Sequence, residues 1–209
     1  MNMRQQILAA TERVIQEKGL ARVTTREIAR AAGCSEGTLY KHFEDKEDLF
    51  LAVIHAYIPP LVETVSTDMA GKQTIRENLE IIAQAVITYY EKLLPLSIML
   101  FADFGLLARH RQWMLENKAG PLNIYHRIAA YIQAEQALGR IKKELEPFNI
   151  AVALLGPCYQ YVFVQYFDGT DPFPLAGQQF VQSIVETLLT GIAIPPPGTI
   201  SYLPDQPPP

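Results

Sequence analysis

Residues 24–43, TTREIARAAGCSEGTLYKHF, constrain this chain more than any other stretch, because one local structure accounts for nearly every position. Thr24 and Glu27 have the Ser/Thr-x-x-Glu spacing of a capping box, which predicts a helix beginning near Arg26. Ile28, Ala29 and Ala32 give that helix a narrow apolar face, and Gly33 supplies the positive φ of a tight helix exit. Ser35 stands where it can cap a second helix over 36–42, with Leu39 and Phe43 burying one side. Two helices of about two turns, joined by a turn containing Gly, form the module whose second helix enters the DNA major groove. The pattern points to a DNA-binding regulator.

The wider run ILAATERVIQEKGLARVTTREIARAAGCSEGTLYKHFEDKEDLFLAV, residues 7–53, resembles the N-terminal domain of TetR-family transcriptional repressors. Ile7, Leu8, Val14, Ile15 and Gly19 match the first helix and its stop; Thr25, Ile28, Ala29, Ala32 and Gly33 match the second. Ser35, Gly37, Tyr40, Phe43, Lys46, Leu49 and Phe50 match the third and the start of the fourth. Cys34 departs from the usual aliphatic residue, and a thiol there behaves as a small hydrophobe. The resemblance covers about the first quarter of the chain. It implies that Tyr40 and Lys46 hold backbone phosphates, that a ligand entering the body moves the fourth helix, and that this alters the spacing of two heads. The remaining three quarters match in length and helical character only, so no particular ligand is implied.

The candidate DNA contacts are Glu36, Thr38, Tyr40, Lys41 and His42, with Thr25 and Arg26 from the preceding helix and Lys46 from the following one. Ser35 serves as the cap, and Gly37 lets the backbone approach the duplex. Glu36 is the odd member, since a carboxylate repels phosphate and is useful only against a cytosine amine.

A formal charge of −4 looks wrong for a DNA binder until it is divided. Residues 1–43 carry seven Lys/Arg against four Glu, whereas 44–209 carry eleven against eighteen Asp/Glu. A basic head on an acidic body can hold DNA, because screening limits the attraction to about 10 Å. Cys34 and Cys158 form no Cys-x-x-Cys motif and read as free thiols in a reducing, cytoplasmic setting. Arg4, Glu12 and Arg13 interrupt the apolar positions of the N-terminus, which therefore lacks a signal-peptide core. Residues 149–167 carry no charge over a length that could span a bilayer. Asn149, Gln160 and Gln165, a break at Gly156 and Pro157, and the lack of a flanking basic cluster favour a helix buried between a core and a partner subunit, with no membrane.

The periodicity predicts an all-α chain of about nine helices, with a three-helix DNA-binding head (1–48), a larger ligand-binding and dimerisation bundle (49–194) and a proline-rich tail (195–209). Asp45 caps a fourth helix bearing Leu49, Phe50, Val53, Ile54 and Tyr57, kinked at Pro59 and Pro60. A helix over 74–94 follows, and Pro95 starts another running to about Ala108. Residues 110–139 read as helix interrupted at Gly120 and Pro121, then come helices from Pro147 to Gly169 and over 175–192. Seven prolines and one charge make the tail non-helical.

Tyrosine is unusually common for a bundle core, because each buried hydroxyl needs a partner. Tyr89, Phe101, Phe104, Trp113, Tyr125, Tyr159 and Phe163 are the candidates for a cavity that takes an apolar or aromatic small molecule, against plain core packing for each alone. Arg109, His110 and Arg111 either cap a helix C-terminus or meet a ligand's acid group. Gly156, Phe180, Ile184 and Leu188 are the candidates for a homodimer seam built from the last two helices. The histidines lack metal-ligand spacing, and no cofactor loop, nucleophile elbow or metalloprotease motif is present, so neither metal nor cofactor is expected. The rival readings are an enzyme, with His126 and Asp103 as the pair that would have to meet, and a helical ligand-binding or interaction protein without a regulatory DNA site, which would explain the bundle but not the basic head.

Overall fold

A computed structural model describes residues 2–18, 22–56, 61 and 63–191, the side chains of 16 and 99 excepted. The described residues are helical without strands: α1 Met3–Lys18, α2 Thr25–Ala31, α3 Glu36–Leu39, α4 Lys46–Ala56, α5 Ile75–Ala102, α6 Phe104–Glu116, α7 Pro121–Ala137, α8 Pro147–Asp168 and α9 Gln178–Thr190, with a 3-10 turn at Thr67–Met69. Tyr57, the expected kink at Pro59 and Pro60, and the tail lie outside the described residues.

Two apolar cores organise the molecule. One gathers Ile7, Val14, Ile28, Leu39, Phe43 and the whole run Leu49–Ile54 of α4 with Leu96, Leu100 and Leu106. The other joins Leu79, Ile82 and Val86 of α5 to Ile128 and Ile132 of α7, Leu154 and Leu155 of α8, and Val181 and Val185 of α9. Within this body α5 packs on α8 and α9, and α7 packs on α8.

Pro95 does not start a helix. It lies inside the 28-residue α5, with Leu94 buried in the body core and Leu96 in the head core. Burial on both sides outweighs the lost amide bond, which costs about 3 kcal/mol in a helix interior. The break falls instead at Asp103, whose carboxylate accepts from the amide of Leu106 at 3.0 Å and so begins α6. Gly156 and Pro157 likewise fail to interrupt α8, which runs unbroken to Gly169 in the left-handed region at φ 69°. Both α5 and α8 are long and apolar enough to cross a membrane by length and composition; here each buries one face against the other in the body core.

A buried polar knot closes the far end of the body. Glu135, fully buried, accepts weakly from the Gly71 amide at 3.4 Å and is neutralised by Arg140, whose Nη1 lies 3.2 Å from Oε2. Asn78 Nδ2 donates to the Met69 carbonyl at 3.1 Å, and Arg140 donates to the Gln73 carbonyl. These bonds tie the segment between α4 and α5 to the end of α7.

Candidate nucleic-acid interface and ligand cleft

The head is set by short-range bonds before any tertiary contact. Thr24 Oγ1 accepts from the Glu27 amide at 3.3 Å, and Glu27 Oε2 accepts from the Thr24 amide at 3.2 Å, closing the expected capping box one residue before Arg26. Lys18 Nζ donates to Glu27 Oε1 at 2.6 Å, which tethers α1 to α2 and, with the Thr24 bonds, holds the carboxyl down at about 2. Gly33 takes φ 71° at the turn, as an αL exit requires. Ser35 Oγ then accepts from the Thr38 amide at 3.1 Å and starts α3.

The recognition helix is shorter than its sequence suggests. After Leu39 the amides of Lys41 and His42 reach the carbonyls of Thr38 and Leu39, three residues back, at 3.2 and 3.0 Å. The expected helix to His42 therefore ends as a tightened turn. Leu39 and Phe43 are buried as expected. Opposite them Gly37, Lys41 and His42 are exposed, and Tyr40 is 47 % exposed. Thr38 and Glu36 are half-buried, and the Thr38 hydroxyl pairs with Ser35 Oγ at 2.9 Å. Tyr40 Oη donates to Thr25 Oγ1 at 3.4 Å, so the two share one flank, with Arg26 exposed beside them. Lys46 stands at the first residue of α4, its ammonium 5.2 Å from the Phe50 ring centroid. Of the predicted DNA-facing residues, Arg26, Gly37, Tyr40, Lys41 and His42 are thus exposed on α2, α3 and the turn after it, while Thr25, Glu36, Thr38 and Lys46 are half-buried. Two supports escaped the sequence reading: Arg4 lies over the Phe43 ring at 5.0 Å, and Arg13 caps the end of α2 by donating to the Ala31 carbonyl at 3.2 Å. Neither has a local sequence signature, since each joins elements far apart in the chain.

The aromatic residues expected to share one cavity are divided. Tyr90 sits at the centre of one group, near Tyr125 and edge-on to Tyr159 at 5.3 Å, with Phe163 beyond Tyr159. Burial drives the Tyr90 hydroxyl well above its ordinary range and the Cys158 thiol up to about 12. Tyr89, pushed up to about 12 by burial, borders a cleft of about 790 Å³ with Leu61, Ile81, Ala85, Glu80 and Val181. Phe101 and Phe104 line no described cleft. They are 72 % and 85 % exposed, because the chain turns outward at Asp103. Trp113 is elsewhere again, stacked on His55 of α4 at 3.5 Å.

Arg109, His110 and Arg111 lie within α6, not at a helix end, so they cap no carbonyls. Arg109 instead donates to Asp45 Oδ2 at 2.9 Å, joining body to head. Asp103 is occupied as a cap and His126 packs on Phe148 at 5.3 Å, so this pair does not form a site. Among the described residues no three His, Cys, Asp or Glu side chains converge as metal ligands. Of the seam candidates, Gly156 is exposed and Ile184 and Leu188 are half-buried. Phe180 turns inward and stacks on Tyr161 at 4.2 Å, since Tyr161 also receives the Gly177 amide and fixes the start of α9.

Residues 7–53 match the family described as bacterial regulatory proteins, tetR family. The head thus carries the N-terminal domain of that family. Relatives include the fatty acid metabolism regulator protein of Bacillus subtilis, 31 % identical over 37 % of this chain and 40 % of that protein. Another is the HTH-type transcriptional repressor AcnR of Corynebacterium efficiens, 41 % identical over 32 % of this chain and 35 % of that protein. The matched region thus spans well under half the length of these two relatives. The whole fold is matched by a TetR-family transcriptional regulator from Mesorhizobium loti, with a TM-score of 0.70 at 23 % identity over 90 % of this chain and 95 % of that one. It is also similar to the regulator FadR from Bacillus subtilis in complex with stearoyl-CoA, TM-score 0.64, 20 % identical over 90 % of this chain and 99 % of that one.

Proposed function

We propose that this chain is a cytoplasmic transcriptional repressor of the TetR family. It grips a pseudo-palindromic operator as a homodimer and is released by an apolar or aromatic small molecule. The observation that carries the DNA-binding part is the capped α2–turn–α3 unit, with Arg26, Tyr40, Lys41 and His42 exposed on a basic head and Lys46 opening the helix that follows. Phosphate contacts from Tyr40 and Lys46 would position the module while α3 reads base edges, Glu36 among them.

The homodimer is supported by α8. Val152, Gly156, Tyr159, Phe163 and Phe167 recur every three or four residues and are all exposed, an apolar stripe that one protomer leaves uncovered. Ile184 and Leu188 of α9 extend it. A two-fold contact of α8 and α9 would form a four-helix seam and set two recognition helices about 34–36 Å apart. The ligand reading rests on the Tyr89 cleft and the Tyr90 ring beside it, an apolar site with a few hydroxyls, while Tyr159 and Phe163 are given to the seam.

Selection of duplexes from a random pool by the full-length protein tests the reading. Recovery of an inverted repeat, bound by a dimer and released by a ligand that saturates the body, is expected; failure to enrich any sequence would refute it.

A further inference from the structure

The junction between head and body holds a cluster that operator recognition does not use. His55, on the last turn of α4, lies face to face with Trp113 of α6, ring centroids 3.5 Å apart and planes 9° from parallel. Its Nε2 is 3.1 Å from Nδ1 of His110. The two imidazole centroids are 5.3 Å apart with planes within 16°. That separation is the nitrogen–nitrogen distance extended by one ring radius at each end, so the two nitrogens face each other along a single line. The arrangement suits a shared proton. It does not suit a metal ion, whose ligand lone pairs must converge on a point off that line. At the other end of α4 the Asp45–Arg109 ion pair makes a second tie to α6. The connector helix is therefore fastened at both ends.

Resting on the DNA-binding reading above, we propose that the His55–His110 pair is a proton-operated latch. Neutral or singly protonated, it holds α4 on α6; doubly protonated, it opens and the head loses its fixed position for the operator. In the neutral pair one ring N–H is donated to the lone pair of the other ring. With His55 Nε2 as donor, a first proton adds to His55 Nδ1, which leaves the bond intact and places a cation on the face of Trp113. A second proton can add only to His110 Nδ1, the acceptor itself. The bond is then lost, and two cations face each other at close range. The opposite tautomer leads to the same two steps with the roles exchanged.

The surroundings do not favour the second proton. Arg4 from α1, Asp48 from α4, and Arg109 and Glu116 from α6 line the adjoining cleft of about 590 Å³, two cations against two carboxylates. Burial holds both imidazoles below the ordinary range, His55 down to about 4, with the charge of His110 adding to the effect there. The latch is therefore closed above the ordinary histidine value of 6.5 and loosens as pH falls from there toward 4. An unfastened head must be ordered on binding, and that ordering is taken from affinity.

The test uses the full-length homodimer and an operator duplex selected at about pH 7.5, with anisotropy titrations down to about pH 4.5. His110→Gln keeps a hydrogen-bonding side chain that cannot take up a proton. Acid effects elsewhere in the protein are common to parent and variant, so the difference between the two profiles is what counts. Over the acid range the parent should lose about tenfold more affinity than the variant, the equivalent of one net hydrogen bond. Trp113, the only tryptophan, should show an emission step at the same midpoint in the unaltered protein. Superimposable affinity profiles, or a Trp113 signal that stays flat while affinity falls, would overturn the latch. A parent that shows no sequence preference at neutral pH would sink the DNA-binding reading, and the Trp113 step alone would then decide the latch.

Discussion

Replacing Arg140 by Met should destabilise the chain far more than replacing Arg76 by Met, although both remove one ion pair. Arg140 faces Glu135, whose side chain is 0 % exposed, whereas Arg76 faces Glu186, with exposures of 43 % and 51 %. The second pair is solvated on both sides and contributes roughly 0–1 kcal/mol. The first is different, because Glu135 cannot recover water when its cation leaves. Among the described residues its Oε2 accepts no hydrogen bond, the buried Tyr131 hydroxyl being its other polar neighbour, and the Gly71 amide reaches Oε1 at 3.4 Å. Breaking a buried pair costs about 3–5 kcal/mol. Arg140 is itself 29 % exposed and so already partly hydrated, which places the expected loss near the lower end, about 3 kcal/mol. For a chain of this length that is a fall of roughly 6–12 °C in melting temperature. Urea unfolding followed by circular dichroism, at one fixed protomer concentration, gives both values. One check bears on the cause: adding Glu135→Gln should restore part of the Arg140→Met deficit, because it removes the orphaned charge. If the two arginine variants cost the same to within about 0.5 kcal/mol, the carboxylate is not isolated from water and the reasoning fails.

Lys46→Ala should weaken operator binding nearly uniformly across sequences and make the salt slope shallower by about one unit, as read from titrations at several salt concentrations; an unchanged slope removes Lys46 from the phosphate contacts. Tyr40→Ala should lower operator affinity with the dimer intact by sedimentation, because Tyr40 is exposed and its hydroxyl bonds to Thr25 within the head; a monomeric or aggregated variant would make the residue structural. The Glu27 carboxyl is lowered from 4.5 to about 2 by Lys18 and Thr24. Its support for the start of α2 is therefore complete above 4.5 and lost as pH falls through about 2. Lys18→Met should move the acid loss of that bond to higher pH, as followed by the chemical shift of the Glu27 amide. Ile184→Glu should place a charge in the proposed α8–α9 seam and yield a monomer that also loses the operator; a variant still dimeric at micromolar concentration would locate the interface elsewhere.

The head was legible because its structure is written in bonds between near neighbours. Thr24 with Glu27, Ser35 with Thr38 and Gly33 at the turn are all settled within four residues, and each formed as expected. What misled in the same stretch was the end of α3. Helix propensity does not reveal that Lys41 and His42 will reach back three residues instead of four. The body was legible in its helical stripes but not in its breaks. Proline at 95 and the Gly156–Pro157 pair carry strong local signals for a boundary, yet both lie inside continuous helices, while Asp103, an ordinary polar residue, makes the actual break. Local cost was outweighed by burial that no window of sequence contains. The aromatic residues were harder still. Tyr125 and Tyr159 meet through Tyr90, but Trp113 meets His55, 58 positions earlier, and nothing in either neighbourhood anticipates the other.

The course of α5 has a mechanical consequence. One helix carries Leu79, Ile82 and Val86 into the body core and Leu96 and Leu100 into the head core, so the two cores share a rod and are not joined by a loose linker. Among the described residues, a change in the body can then reach the head by two physical paths. One runs directly along α5. The other runs through α6, which touches α4 at Asp45 and at His55. Proline at 95 lies between the two sets of core residues and removes one amide bond there, so it makes the rod easiest to bend at that point. The sequence places its flexible joint inside the shared helix and its fastenings on the connector beside it. A ligand that favours one bend over the other would shift the heads only as far as its difference in affinity for the two shapes allows.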